Sequence, residues 1–399
     1  MSHSWQKYSK DNLCAPNLIH FNNAGAALMP KQVVGAVTDY LNLEAKIGGY
    51  EAMEYAAPKI EGIYRDLAQL IGAHADEIAL FENATRAWQV VFYGMEFKQG
   101  DTILTTSAEY GSNLLGILHL KKIKGVNVEL IPEEETGETS VSALEKMIKA
   151  KKPKLLAITH VPSQGGLVNP VENIGALARK YDIFYLLDAT QSIGQMRVDV
   201  SKIKCDALCA TGRKFLRGPR GTGFAYIKRE RLNYLLPPVV DMMTADWQDG
   251  ENFKLRDKAQ RLETWESSFA GKLGLAEAVK YALGIGMDKI EKRVIHLANL
   301  LREKLGEIED IALHDQGKIK SGIVTFKIKN IDSKDVWSQL FKKNINVTYI
   351  PKERFPLDFN LRGLTDLVRA SVHYYNTEEE IDRFSREINQ VILQSPGLN

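Results

Sequence analysis

The sequence predicts an α/β protein, with a mostly parallel sheet between helices followed by a smaller α+β domain. Three observations lead there. Short apolar runs without alternation recur up to Ile227, as strands buried on both faces require. Helical periods separate most of them, the β-α-β alternation of a parallel sheet. Two runs end in reactive groups. Ile183 to Leu187 leads into Asp188-Ala-Thr-Gln191, and Ala207 to Thr211 leads into Gly212-Arg-Lys214. Open α/β sheets bind ligands at such strand ends.

Taken in order, residues 1–17 read as a polar arm. His20-Phe-Asn-Asn23-Ala-Gly25 is a short extended piece running into small residues that let backbone approach a ligand. Pro30 to Lys46 and Pro58 to Ile71 are helical by period, with Pro58 suited to a first turn and Gly72 to a stop. Gly48-Gly49-Tyr50 between them reads as a loop. Ile78 to Phe81 is a strand. The turn Asn83-Ala84-Thr85 after it opens a helix, whose free N–H groups and dipole favour an anion.

Asp101–Thr105, Val126–Ile131, Leu155–Thr159 and Ile183–Leu187 are further strands, with helices over 141–151 and 170–181. His160 to Gly166 is a loop at a strand end. Residues 228–265 read as irregular, and 272–306 as helix broken near Gly284–Gly286. Gly322–Ile328, Val347–Ile350 and Leu367–Tyr375 read as strands. Thr377-Glu-Glu-Glu380 is a capping box opening a last helix to about Leu393. The expected organisation is an arm (1–17), a large domain (18–270), a connecting helix (271–289) and a small domain (290–399) packed with the N-terminal segment.

The 399 residues, 44% hydrophobic and 26% charged, suit a globular chain with a large core. A net charge of +2 with no basic stripe argues against nucleic-acid binding. No apolar run is long enough to span a bilayer, and the polar start lacks the apolar core of a signal peptide. The three cysteines, Cys14, Cys205 and Cys209, fit a reducing cytoplasm rather than a disulfide framework. Cys205 and Cys209, four apart on an expected strand, lack further ligands at metal spacing and read as core residues. No metal site is expected.

Gly212-Arg-Lys214 is no phosphate-binding P-loop, because Phe215 stands where Ser or Thr is needed. Gly218-x-x-Gly221-x-Gly223 precedes a strand and so is no dinucleotide fingerprint. The residue types instead suit a Schiff-base enzyme. Pyridoxal phosphate needs a lysine for its aldehyde, a carboxylate for its ring nitrogen, an anion site and a group over its ring. Lys214, Asp188 with Gln191, and Thr85 at the helix start supply the first three.

The ordered motifs Asn22-Asn-Ala-Gly25, Asn83-Ala-Thr-Arg86, Glu109-Tyr-Gly-Ser-Asn113, Asp188-Ala-Thr-Gln191, Gly212-Arg-Lys214 and Arg369-Ala-Ser with Tyr375-Asn-Thr run over nearly the whole chain. Together they resemble the class V aminotransferase family of fold-type I pyridoxal-phosphate enzymes, nearest its cysteine desulfurase and selenocysteine lyase branch. The resemblance implies a seven-stranded, mostly parallel sheet and a homodimer with active sites at the subunit interface. It implies that Lys214 forms the Schiff base, Asp188 pairs with the pyridine nitrogen, Gln191 bonds the ring hydroxyl and Tyr110 stacks on the ring. Ala84, Thr85, Ser163, Thr211 and Arg213 complete the cofactor contacts. Asn23, Ala24, Gly25, Tyr50 and Arg369 are the expected substrate contacts, Arg369 holding the carboxylate.

The departures bear on the reaction. Tyr110 replaces the stacked histidine of desulfurases, which keeps the stacking and weakens acid-base work, because a phenol serves it less well near neutrality than an imidazole. Arg213 replaces the histidine before the lysine. Glu266 stands where a partner-subunit hydroxyl touches the phosphate, and pairing with Arg86 or Arg213 is expected. The loop that carries a persulfide cysteine in desulfurases reads Lys352-Glu-Arg-Phe-Pro-Leu-Asp-Phe-Asn360, with no cysteine anywhere after Thr211. The favoured expectation is therefore a C–S or C–Se lyase on a small amino-acid substrate without persulfide chemistry. Glu44-Ala-Lys-Ile-Gly48-Gly-Tyr50 adds a weaker similarity to hercynylcysteine sulfoxide lyases. An aminotransferase or epimerase of the same family, and a cofactor-binding pseudoenzyme, are the alternatives.

Overall fold

The computed structural model describes residues 3–394, so the first two residues of the expected arm and the last five of the expected small domain lie outside it. Its main sheet has seven strands: Ile78–Phe81 (β1), Thr102–Thr105 (β2), Asn127–Leu130 (β3), Leu155–Thr159 (β4), Phe184–Asp188 (β5), Ala207–Thr211 (β6) and Gly223–Ile227 (β7). Their order across the sheet is β1-β7-β6-β5-β4-β2-β3. Only β7 runs against the others, pairing antiparallel with β6 and β1. The central strands β4 to β7 are buried along their whole length, which is why they read as unbroken apolar runs. Two apolar clusters cover the two faces, one around Ile158, Leu187 and Leu208, the other around Trp88, Leu186 and Cys209.

A four-stranded antiparallel sheet follows: Ile311–Leu313 (β8), Ile323–Ile328 (β9), Thr348–Pro351 (β10) and Asp366–Ser371 (β11), in the order β8-β9-β11-β10. The N-terminal segment joins this part of the molecule. Ile19–His20 pairs with Ile345–Asn346, Asn22 bridges to Ser371, and Ile19 and Phe21 enter its core. The final helix, Glu378–Gln394, opens with the expected box: Thr377 Oγ1 accepts from Glu380 N, and Glu380 Oε2 accepts from Thr377 N, both at 3.2 Å.

The elements differ from the sequence reading in four places. The expected polar arm contains a helix, His3–Ser9, whose Trp5 and Tyr8 rings pack on Tyr374. Gly48–Tyr50 is no loop, because the helix expected from Pro58 already starts at Gly49 and holds Pro58 in its interior. Ala52 and Ala56 bury there against Ala270 and Leu273, and small residues give a weak periodic signal. Residues 228–265 contain a hairpin, Ala245–Asp249 with Asn252–Leu255. Its aromatics Trp247 and Phe253 are exposed, so no buried face marks it in the sequence. The run Leu367–Tyr375 leaves the sheet after Ser371. The break expected near Gly284–Gly286 is present and falls inside the stretch 271–289, named above as one connecting helix. Phe269–Ile285 and Met287–Gly306 meet at Gly286, whose φ of +94° breaks the helix where a Cβ would be strained.

Candidate active site

β5 and β6 end side by side, and so bring Asp188 and Lys214 to one edge of the sheet. Two helices complete the site. Ala84–Gly94 (α1) follows β1, and Gly111–Lys124 (α2) follows β2. Asn83 caps α1 by accepting from Arg86 N at 2.8 Å, which orients the free N–H end of that helix. Gly223 makes room for this turn: a Cβ on it would lie 2.7 Å from the Asn83 carbonyl carbon. A cavity of about 530 Å³ lies between these elements, lined by Glu82, Asn83, Ala84, Thr85, Tyr110, Asn113, Asp188, Thr190, Thr211, Arg213, Lys214, Arg220 and Gly221.

Asp188 is buried and its carboxylate is fixed from two sides, accepting from Asn113 Nδ2 at 2.8 Å and Thr190 N at 2.9 Å. Asn113 Nδ2 also donates to Glu109 at 2.9 Å, and Thr159 Oγ1 donates to the same Glu109 oxygen at 2.5 Å. Burial, with the charge of Asp188 added, raises the Glu109 carboxyl to about 7. Lys214 Nζ lies 5.9 Å from the centre of the Tyr110 ring. Burial lowers its ammonium to about 7, helped by Arg213 and Arg369 and opposed by Asp188. Burial thus favours the neutral amine, the form that attacks an aldehyde or takes a proton. Burial also depresses Arg213, as does Arg220 beside it.

Three residues beyond Asp188, Gln191 Nε2 donates to Ser163 Oγ at 3.0 Å and to Ala24 O at 3.1 Å. Its Oε1 is buried without a partner. Arg369 sits on β11 and donates to Ser163 O at 2.9 Å and to Asn22 Oδ1 at 3.3 Å, leaving Nε buried and unpaired. Ala24 and Gly25 border Gln191 and Asn22 through the close turn at Gly25, where a Cβ would lie 2.6 Å from Asn22 Oδ1.

Three expected contacts differ in their surroundings. Asn23 has its amide committed to the backbone of His20 and Ser371 and its oxygen to the Tyr375 hydroxyl, so its side chain ties the N-terminal segment to the second sheet. Thr211 donates its hydroxyl proton to Thr222 O at 3.0 Å, which leaves only acceptor capacity toward the cavity. Tyr50 is 70% exposed and lines a separate groove with Trp265 and Glu266. Glu266 pairs with neither Arg86 nor Arg213 among the described residues; both arginines line other hollows. Cys205 and Cys209 are buried free thiols, Cys205 just ahead of β6 rather than on it, and burial pushes both upward in pKa. Glu109, Asn113 and Thr159 were not given roles by the sequence reading. The spacing of Glu109 and Asn113 across the start of a helix was the available signal.

The donor set fits pyridoxal phosphate. A helix N-terminus with Thr85, Arg213 and Arg220 suits the phosphate, Asp188 a protonated ring nitrogen, and the unpaired Gln191 Oε1 a ring hydroxyl. Among the described residues, no cluster of three or more His, Cys, Asp or Glu could hold a metal, and no helix is long and apolar enough to cross a membrane.

Comparison with known proteins agrees with this geometry. The family model for aminotransferase class-V matches residues 19–384. A probable cysteine desulfurase of Pyrococcus abyssi is 33% identical over 389 residues, covering 96% of each chain. The apo structure of a cysteine desulfurase from Thermococcus onnurineus NA1 superposes with a TM-score of 0.91 at 29% identity, over 98% of both chains. A cystine C–S lyase solved with its product cysteine persulfide shares the fold, with a TM-score of 0.85 at 22% identity over 94% of this chain and 97% of that one.

Proposed function

The chain belongs to the class V aminotransferase family, and on that premise we propose that it is a C–S or C–Se lyase acting on a sulfur- or selenium-bearing amino acid without a persulfide cysteine. Pyridoxal phosphate is its cofactor. The observation that carries the lyase reading is the stretch Lys352–Asn360, which contains no cysteine, in a chain with none beyond Cys209.

Each residue has a task in this reading. Thr85 and the first N–H groups of α1, with Arg213 and Arg220, bind the phosphate. Asp188 accepts the ring N–H, and Asn113 and Thr190 keep its carboxylate in place. Gln191 Oε1 would accept from the ring hydroxyl, and Tyr110, which lines the cavity, would cover the ring. Bound here, pyridoxal phosphate supplies the electron sink that takes the pair left when an amino acid loses its α-proton. Arg369 binds the substrate carboxylate through its unpaired Nε and so sets which α-carbon bond faces Lys214. Lys214, whose ammonium form is disfavoured by burial, removes that proton. The C–S bond then breaks, sulfur leaves as a thiolate that gains one proton, and the remaining three-carbon fragment takes up water to give pyruvate and ammonia.

The exposed Tyr50, Trp265 and Met242 support a homodimer in which a second copy completes the pocket. The test of the reading is a product screen of cofactor-loaded protein against cysteine, selenocysteine, cystine, S-substituted cysteines and alanine. Thiol or selenide with matching pyruvate and ammonia is the expected result. Release of a keto acid that retains the substrate's sulfur would overturn it.

A further inference from the structure

Lys214 stands on a loop between β6 and β7 that is held from other parts of the chain. Arg217 N donates to Lys214 O at 2.8 Å, and Gly218 N donates to Gly212 O at 2.7 Å, which folds residues 212–218 into a compact turn. Arg217 takes a φ of +63° there, in the left-handed region that favours glycine. A long side chain kept at a strained position points to a use for that side chain.

Arg217 is 1% exposed, and its fork spans the molecule. Nε donates to Leu28 O at 2.8 Å, Nη1 to the Tyr374 hydroxyl at 2.7 Å, and Nη2 to Asn12 Oδ1. Its guanidinium carbon lies 4.4 Å from the centre of the Tyr375 ring and 5.2 Å from that of Tyr374. The charge is thus met by neutral acceptors and by ring faces. The residues on either side of Lys214 are tied to the same parts of the chain. Arg213 O accepts from Ala27 N at 2.9 Å, and Phe215 O accepts from His373 Nε2 at 2.7 Å. The residue before the lysine is therefore bonded to the N-terminal segment, the residue after it to the chain just past β11, and Arg217 to both. These parts also carry Asn22, bonded to Arg369, and Asn23, bonded to Tyr375. Arg217 does not line the cavity, whereas Lys214 does, so Arg217 acts through the turn.

We propose that Arg217 is a positioning residue for Lys214: it ties the turn that carries this lysine to the N-terminal segment and to the chain past β11, and so fixes where the amine lies in the cavity. The proposal goes beyond the choice between a lyase and its alternatives, since each begins from a Schiff base, and it rests on Lys214 as the lysine that forms one.

The test separates the lysine from the rest of the pocket. Apoprotein of wild type, R217K, R217G and Y374F is mixed with saturating pyridoxal phosphate, and Schiff-base formation is followed by stopped-flow absorbance. Pyridoxine 5'-phosphate, which has the ring and phosphate but no aldehyde, reports on the pocket without the lysine, and every variant should bind it with wild-type affinity. R217K keeps the charge and loses the fork. R217G relieves the backbone and loses the side chain. Each should slow Schiff-base formation by on the order of 10²-fold, the scale of a misplaced reacting group. Y374F removes one hydrogen bond from the guanidinium and should slow it about tenfold, which decides the matter even where the arginine variants fail to fold. An unchanged rate in Y374F or in folded R217G would overturn the proposal. So would a loss of analogue binding that parallels the loss of rate, because Arg217 would then support the whole pocket rather than the lysine. A wild type with no borohydride-stable link at Lys214 would overturn the assignment of Lys214 itself.

Discussion

Glu109 and Asp188 are two buried carboxylates that share one donor, the Asn113 side-chain amide, at 2.9 Å and 2.8 Å. They cannot both be charged cheaply in so dry a place. Asp188 meets water-like partners on both oxygens and faces the cavity, whereas Glu109 is packed behind it against Thr159 and Thr105. Glu109 is thus a readily protonated group packed behind the carboxylate that faces the cavity.

Stability should record this. The Glu109 carboxyl is raised in the fold, from 4.5 to about 7. The folded state therefore holds a proton that the unfolded chain releases between those values. That favours folding fully below about 4.5, and the advantage is lost as pH rises through about 7. E109Q should match wild type in acid and exceed it above neutrality, by on the order of 2 kcal/mol. Thermal unfolding from pH 5 to 8 measures this. Glu263, buried against Tyr64 and also raised to about 7, adds a parallel slope, so E263Q serves as the second arm. Identical slopes for wild type and E109Q would contradict the account.

Lys214 predicts a second pH dependence. Its ammonium is lowered to about 7, so the reactive amine grows with pH through neutrality rather than near 10.5. The rate at which apoprotein takes up pyridoxal phosphate should rise about tenfold per pH unit below 7 and level off above it. Stopped-flow absorbance reads this directly. K214A should leave no borohydride-stable link to the protein, and a rate still climbing beyond pH 9 would place the amine in ordinary solvent.

Arg369 offers a planar fork with one N–H of each terminal nitrogen held by Ser163 and Asn22 and its buried Nε–H without a partner. R369K keeps the charge and loses the fork. It should lower kcat/KM by on the order of 10²-fold, mainly through KM, the scale of a charge-assisted hydrogen bond at a buried site. Steady-state kinetics with one substrate series checks the split between kcat and KM.

Much of this architecture was legible in the sequence, for identifiable reasons. The strands β4 to β7 are buried on both faces, so apolar runs mark them without ambiguity. Asp188 ends β5, Lys214 follows the end of β6 and Thr85 opens the helix after β1, and their chemistry is specific. The hairpin at Ala245–Leu255 and the helix start at Gly49 escaped because exposed aromatics and buried alanines carry little periodic signal. The acid behind Asp188 escaped because Glu109 and Asp188 are 79 residues apart in sequence and only the pairing of β2, β4 and β5 brings their ends together. The separation of Tyr50 from the cavity depends on how whole elements pack, which no local spacing encodes.

The central claim, a lyase that needs no protein sulfur, is tested most directly by stoichiometry over many turnovers. Cofactor-loaded protein is incubated with an S-substituted cysteine, with no keto acid added. The account predicts thiol, pyruvate and ammonia in equal amounts, far exceeding the enzyme concentration, with no sulfur retained on the protein and the same outcome for C14S. A reaction that halts after one equivalent with the amino group left on the cofactor, or a persulfide found on Cys14, would contradict it.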